Sequence, residues 1–250
     1  MTRQVRRIFF SDVHLSPDAP QRSRWLLDFL HREAPRTDEF YILGDLFNYW
    51  MGPQHFDLAD YQDVLSALGE LVRMGRRVVF LYGNRDFYIG SSFRDRLGVE
   101  TYPGPLWLDF EGQKVCLIHG DTLCTHDWKY NVARLILRSR AMEMVFSCLP
   151  VRLARFLAVG YQRYAKRETR LKTKRELSMS SSAIEGLFRQ GADVVVCGHT
   201  HRVGVHKHRI DGQERTRYSL GCWDEGSNFL ELTSGQWKMH PTAAPPEPND

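Results

Sequence analysis

The 250-residue sequence holds no run approaching the ~18 uninterrupted apolar residues of a bilayer span, so no membrane crossing is expected. Its opening, MTRQVRRIFFSDVHL, passes from basic residues straight into a strand pattern, without the apolar stretch and cleavage site of a signal peptide. There are only five cysteines (Cys116, Cys124, Cys148, Cys197 and Cys222), an odd number set mostly in apolar, strand-like contexts. That excludes a disulfide framework and points to reduced thiols in a cytosolic chain. No segment repeats at a fixed period, which excludes a repeat array. Net charge is only +4, so no overall basic balance dictates a partner. Its distribution is uneven, however. Between Arg134 and Arg175, twelve Lys and Arg stand against two Glu, and the remainder of the chain is acidic.

What is present is an ordinary globular composition, 42% hydrophobic and 26% charged, in a chain long enough for one large domain carrying an insert. Short apolar runs each close on a polar side chain. RRIFFSDVH delivers Asp12 and His14; DEFYILGDLF delivers Asp45; RRVVFLYGNRD delivers Asn84, Arg85 and Asp86. QKVCLIHGDT delivers His119 and Asp121, and ADVVVCGHTH delivers His199 and His201. Helical patterns separate the first three runs, as in Trp25-Leu26-Phe29-Leu30 and Val64-Leu65-Leu68-Leu71-Val72, giving a β-α-β-α-β layout. Val194 to Val196 have the pattern of a strand covered on both faces, and Gly198 is expected to let the chain turn sharply after it. From about 205 to 240 the pattern alternates like antiparallel strands, with turn signals at Asp211-Gly212 and Ser234-Gly235.

Any one of these strand ends has a bland explanation. Asp45 alone suits a helix N-cap, and Asn84 alone suits a turn residue after Gly83. Seven such positions at strand ends are better explained by one site, because the carboxyl ends of strands in α/β sheets gather on one side. The donor set is carboxylate, imidazole and amide oxygen, with no cysteine placed to coordinate. It suits a divalent ion such as Mn²⁺, Fe²⁺ or Zn²⁺, not a closed thiolate zinc site. Seven donors exceed what one ion takes while leaving room for water, whereas two ions about 3.5–4 Å apart accommodate them.

The ordered pieces DVH, GDLF, GNRD, HGDT and GHTH resemble the calcineurin-like metallophosphoesterase superfamily. The resemblance implies a four-layered α/β/β/α sandwich with a dimetal site at the strand ends. Carried over position by position, Asp12, His14, Asp45 and His201 hold one ion. Asp45, Asn84, His119 and His199 hold the other, with Asp45 bridging and two Mn²⁺ as the expected ions. His199 and His201 then serve different ions, and strand alternation is expected to aim residues i and i+2 to the same side, where both ions lie. Where many members carry a histidine after the asparagine, this sequence has Arg85, whose fork suits phosphate oxygens and which stays charged at neutral pH. With ILGDLFNYW, HGDTLCTHD and LGCWDEGS, this is similar to the bacterial UDP-2,3-diacylglucosamine diphosphatases of lipid A synthesis. That similarity implies pyrophosphate hydrolysis giving UMP and 2,3-diacylglucosamine 1-phosphate, with Asn84, Arg85 and His119 in the chemistry. Arg85, Asp127 and Tyr130 would face the substrate. Asn48-Tyr49 and His126 depart from the pattern and bear on substrate scope.

The expected organisation is a core over 1–127 and 183–240, a basic amphipathic helical insert over 128–182 that acts as a lid, and a disordered Pro-rich tail over 241–250. Pro150 divides the insert into helical stretches of roughly 128–148 and 151–178. On the second, Leu153, Leu157, Tyr161 and Tyr164 form an apolar stripe, and Arg152, Arg155, Arg163, Lys166 and Arg170 a basic one. An amphipathic helix packed on the core with a solvated basic face fits this pattern. A lid on an anionic membrane surface, admitting acyl chains between its helices, fits it as well. Phosphates of nucleic acid would also suit the stripe, but no nucleic-acid motif accompanies it and none is expected as partner. The expected location is the cytoplasm, peripherally on the cytoplasmic face of the inner membrane. A metallophosphoesterase for another phosphodiester and a non-catalytic binding module are the competing readings; a module would show a degenerate site, and none of the seven positions is lost.

Overall fold

The computed structural model describes residues 4–86, 88–126, 128–150, 152, 153, 156, 157, 159, 160, 173, 178–224 and 226–243. Along the chain run β1 (Arg6–Phe10), α1 (Pro20–Glu33), β2 (Glu39–Ile42), α2 (Gln62–Arg73), β3 (Arg77–Leu81), α3 (Ser92–Leu97) and β4 (Glu100–Tyr102). Next come β5 (Leu106–Phe110), β6 (Gln113–Ile118), α4 (Trp128–Leu137), α5 (Arg140–Ser147) and α6 (Ser181–Arg189). The chain closes with β7 (Val194–Cys197), β8 (Gly204–Ile210), β9 (Gln213–Ser219), β10 (Ser227–Thr233) and β11 (Gln236–Ala243).

Two sheets result, with strand orders β11-β10-β1-β2-β3-β4 and β5-β6-β7-β9-β8. Strands β1 to β4 are parallel, as the β-α-β-α-β reading requires, and β10 returns antiparallel beside β1. Side-chain alternation then sorts the core into three clusters. Phe9, Tyr41, Val79 and Leu81 from the first sheet meet Val115, Leu117, Val194 and Val196 from the second, forming the layer between them. The opposite face of the first sheet (Ile8, Phe10, Phe40, Ile42, Val78, Phe80) packs with Leu26, Phe29 and Leu30 of α1 and Val64, Leu65 and Leu68 of α2. Cys116, Ile118, Val195 and Cys197 cover the other outer face with Ile184, Leu187 and Phe188 of α6. These are the four layers expected, α/β/β/α.

Type I′ geometry explains the hairpins. Asp211 and Gly212 have φ of 50° and 80°, and Ser234 and Gly235 have 51° and 73°. This twist matches that of the flanking antiparallel strands. None of the five cysteines is in a disulfide.

Two boundaries differ from expectation. The first helical stretch is not continuous over 128–148: Ser139, in extended backbone, accepts a hydrogen bond from the Met142 amide and starts α5 as a separate helix. Nothing in the side chains there breaks helix periodicity, so only the cap marks the break. At the other end, β11 runs through Pro241 to Ala243, past the boundary drawn at 240. It is the edge strand of its sheet, where a proline without an N–H is tolerated. Most of the second helical stretch and residues 244–250 lie outside the described residues.

Candidate metal centre

Because β1, β2 and β3 run parallel in one sheet and β6 and β7 in the other, their carboxyl ends open on the same edge of the sandwich. The seven expected residues meet there. His14 Nε2 lies 3.1 Å from His201 Nε2, with Asp12 Oδ1 at 3.4 Å from the latter and 3.8 Å from the former. Asn84 Oδ1 lies 3.0 Å from His119 Nε2 and 2.9 Å from His199 Nδ1. Asp45 stands between the two groups, one oxygen 3.9 Å from His14 Nδ1 and the other 3.7 Å from His119 Nε2. Six of the seven thus fall into two groups of three, and the seventh, Asp45, faces both.

The backbone is bent to achieve this. Among the described residues eight non-glycines have positive φ; three of them sit in hairpin turns, and the other five are Asp12 (56°), His14 (54°), Asp45 (53°), His199 (68°) and His201 (57°). Left-handed backbone at a residue with a Cβ costs of order 1–3 kcal/mol, and persists where surrounding structure enforces it. Here it corrects two expectations. His199 and His201 reach different half-sites because each turns separately after β7 has ended, not through strand alternation. Gly198 is not in the left-handed region; a Cβ there would collide with Ser11 Oγ and Asp12 Oδ2, so glycine is needed for close approach. Gly83 is held to the same limit, since its Cβ would land on the Asp45 carboxylate.

Asp86, quoted in the GNRD motif but given no role there, is the lock beneath this edge. It is fully buried and accepts the amides of Asp45 (3.1 Å), Phe47 (3.2 Å) and Gly83 (2.9 Å). Burial and the Asp45 carboxylate push its carboxyl up to about 7, against the pull of those amides. Arg85, partly exposed, lies over the site with Nε 3.4 Å from Asp45 Oδ2 and Nη1 2.5 Å from Asn48 Oδ1. The Asn48 that departs from the family pattern therefore aims the guanidinium. Asp127 lies outside the described residues, and Tyr130 belongs to α4.

The protonation of each imidazole is set by burial working against the neighbouring carboxylates. Burial drives His14 well below the usual imidazole range and His199 to about 4, leaving both neutral with lone pairs to donate. Burial opposes protonation of His119 and His201 as well, yet both are raised. For His119 the Asp45, Asp12 and Asp121 charges outweigh burial; for His201 the Asp12 carboxylate and Cys222 thiol do, carrying it up to about 10. Burial raises Asp45, whereas for Asp12 the neighbouring imidazoles overcome burial and hold the carboxyl low. Asp12 Oδ1 and His14 Nδ1, both buried, have no hydrogen-bond partner among the described residues. Nitrogen and carboxylate donors bind divalent ions at about 2.0–2.2 Å, which sets neighbouring donors roughly 3 Å apart. The closest pairs here match that spacing, so the residues fit the ions.

The insert supplies a different surface. Leu135 and Phe156 are 71% and 73% exposed, and Ile136, Met144, Val145, Leu153 and Leu157 are also exposed. No helix among the described residues is long and apolar enough to cross a membrane.

Comparison with known proteins agrees with this geometry. Residues 5–203 match the family model for calcineurin-like phosphoesterases. A UDP-2,3-diacylglucosamine hydrolase of Aeromonas salmonicida is 34% identical over 244 residues, covering 95% of this chain and 94% of that protein. Proteins of the same name from Nitrosococcus oceani and Pseudomonas paraeruginosa are 36% identical (90% of each chain) and 34% identical (94% of this chain, 98% of that protein). The chain belongs to the calcineurin-like phosphoesterase family.

Proposed function

We propose that this chain hydrolyses the pyrophosphate of UDP-2,3-diacylglucosamine, giving UMP and 2,3-diacylglucosamine 1-phosphate. The observation that carries the reading is that all seven donor positions are kept and assembled in a chain similar, over nearly its whole length, to relatives named for that hydrolysis. Asp12, His14, Asp45 and His201 would hold one divalent ion, and Asp45, Asn84, His119 and His199 the other, with Mn²⁺ the favoured metal. Bound there, the ions supply positive charge that acidifies water and offsets phosphate charge. The remaining work belongs to the chain. Asp86 fixes the loops that carry Asp45 and Asn84. Arg85, aimed by Asn48, offers its fork to the phosphate oxygens. A nucleoside monophosphate is a good leaving group, so no histidine acid is needed at that position.

Asp127 and Tyr130 are the proposed contacts to the substrate sugar. The insert over 128–182 acts as a lid: its exposed apolar side chains suit acyl chains, and its basic residues suit the anionic cytoplasmic face of the inner membrane. The test is Mn²⁺-dependent release of UMP from UDP-2,3-diacylglucosamine in detergent micelles, beside UDP-N-acetylglucosamine and a nitrophenyl phosphodiester. Preferential turnover of the diacyl substrate is expected. Turnover of the simple diester without the lipid would keep the site and overturn the reading of the insert.

A further inference from the structure

We infer that Arg138, at the hinge between α4 and α5, is a positioning residue for one half of the metal centre. The break at Ser139 leaves Arg138 at the last turn of α4, its amide bonded to the Arg134 carbonyl, and its side chain is mostly buried. Its Nη2 donates to the Gly83 carbonyl and to Asp121 Oδ2, each at 2.9 Å. Gly83 immediately precedes Asn84, and Asp121 follows His119 by two residues. One guanidinium thus holds together the two segments whose side chains meet at Asn84 Oδ1 and His119 Nε2. A second tie sits beside it: the hydroxyl of Tyr88, four residues past Asn84, donates to the Leu137 carbonyl.

The opposite half-site is braced from elsewhere. Arg22 of α1 donates to the carbonyls of Val13 and His14, at 3.2 and 3.4 Å, and to Asp224 on the loop before β10. Neither contact involves the insert. The two halves therefore rest on two arginines from different parts of the fold, and among the described residues the Asn84–His119 half is the one tied to the insert's hinge. Arg138 acts through the backbone of Gly83 and the carboxylate of Asp121. Both bonds leave one nitrogen, Nη2, whose two hydrogens are fixed in the guanidinium plane; lysine would keep the charge on a freely rotating ammonium without that fixed direction.

The inference rests on the dimetal reading, and the experiment separates the two. The full chain, stripped with chelator, is titrated with Mn²⁺ alone by calorimetry, as wild type, Asn84→Ala, Arg138→Met and Arg138→Lys. Two binding steps in the wild type, one lost in Asn84→Ala, establish the dimetal reading and identify the step. Arg138→Met should weaken that same step by roughly 10–100-fold and spare the other, with Arg138→Lys recovering part of the loss. On bis(4-nitrophenyl) phosphate, which carries no acyl chain, Arg138→Met at subsaturating Mn²⁺ should lower kcat with little change in KM. Unchanged Mn²⁺ steps, or both steps weakened alike with a lower Tm, would overturn the positioning role. A wild type with a single step would overturn the dimetal reading instead.

Discussion

The strand-end cluster and the helices that follow it are built on opposite terms. At the strand ends, Asp12, His14, Asp45 and His119 are buried, the backbone is held in left-handed turns, and Gly83 and Gly198 leave no room for a methyl group. The described part of the insert leaves Leu135, Ile136, Met144 and Phe156 in solvent and rests on the core through a few contacts, with Phe146 against Tyr88 at 5.1 Å and Gln54 bonded to the Phe146 carbonyl at 3.0 Å. A site that stabilises charge gains from donors fixed before the substrate arrives, since no reorganisation is then required. A surface for flexible acyl chains gains from exposed apolar side chains, whose burial is completed by the ligand at about 25 cal/mol per Å². On the proposed reading, one region is finished by folding and the other by binding of the acyl chains.

The largest effect should come from removing a donor. His119 bonds the Leu43 carbonyl through Nδ1 at 2.8 Å and faces Asn84 through Nε2. His119→Ala should lower kcat by about 10³-fold, on the order of 4 kcal/mol of transition-state stabilisation. Circular dichroism should show the fold retained, because Asp86 and the close-packed glycines still shape the edge. Retention of most activity would remove His119 from the site and collapse the contrast between the two regions.

A smaller effect tests the support beneath the edge. His55 is buried between Tyr49 and Trp50, at ring distances of 5.5 Å, and neither ring nitrogen has a hydrogen-bond partner among the described residues. Burial lowers its pKa from 6.5 to about 4. The folded chain thus keeps His55 neutral where the unfolded chain takes up a proton. Its contribution is complete above pH 6.5 and declines by about 1.4 kcal/mol per pH unit as pH falls toward about 4, a loss of roughly 3 kcal/mol. Urea titrations at pH 7 and pH 4.5 should show this excess acid destabilisation in the wild type and its relief in His55→Phe. Equal acid sensitivity in both would mean that the imidazole reaches water.

The two regions also differed in how far they could be read from residues alone. The donors were legible because each follows its own apolar strand within a few residues, so the periodicity that predicts the strand also places the donor at its end. What lay outside that reach was long-range or a matter of volume. That β1 pairs with β10, and that the six residues between β7 and β8 reach both half-sites, depends on packing between sheets. Asp86 acts by accepting three distant amides and Gly198 by leaving room for Ser11 and Asp12, neither of which a motif can convey. Arg138 was hidden among the basic residues of the insert, where nothing in spacing separates it from its neighbours.

The smallest effect on stability should come from the insert, and it bears most directly on what that region is for. Leu135→Ser and Phe156→Ser change side chains that are already exposed in the free chain, so each should alter stability by no more than about 0.5 kcal/mol. A core residue behaves otherwise: Leu68, fully buried under the first sheet, should cost about 2–5 kcal/mol as alanine. If the insert is completed by acyl chains, the same two serine variants should raise KM for the diacyl substrate while kcat on a nitrophenyl phosphodiester stays at the wild-type value. Loss of stability comparable to Leu68→Ala would show that these side chains are packed in the free protein. The insert would then belong with the folded edge, and the apolar surface would no longer call for a lipid.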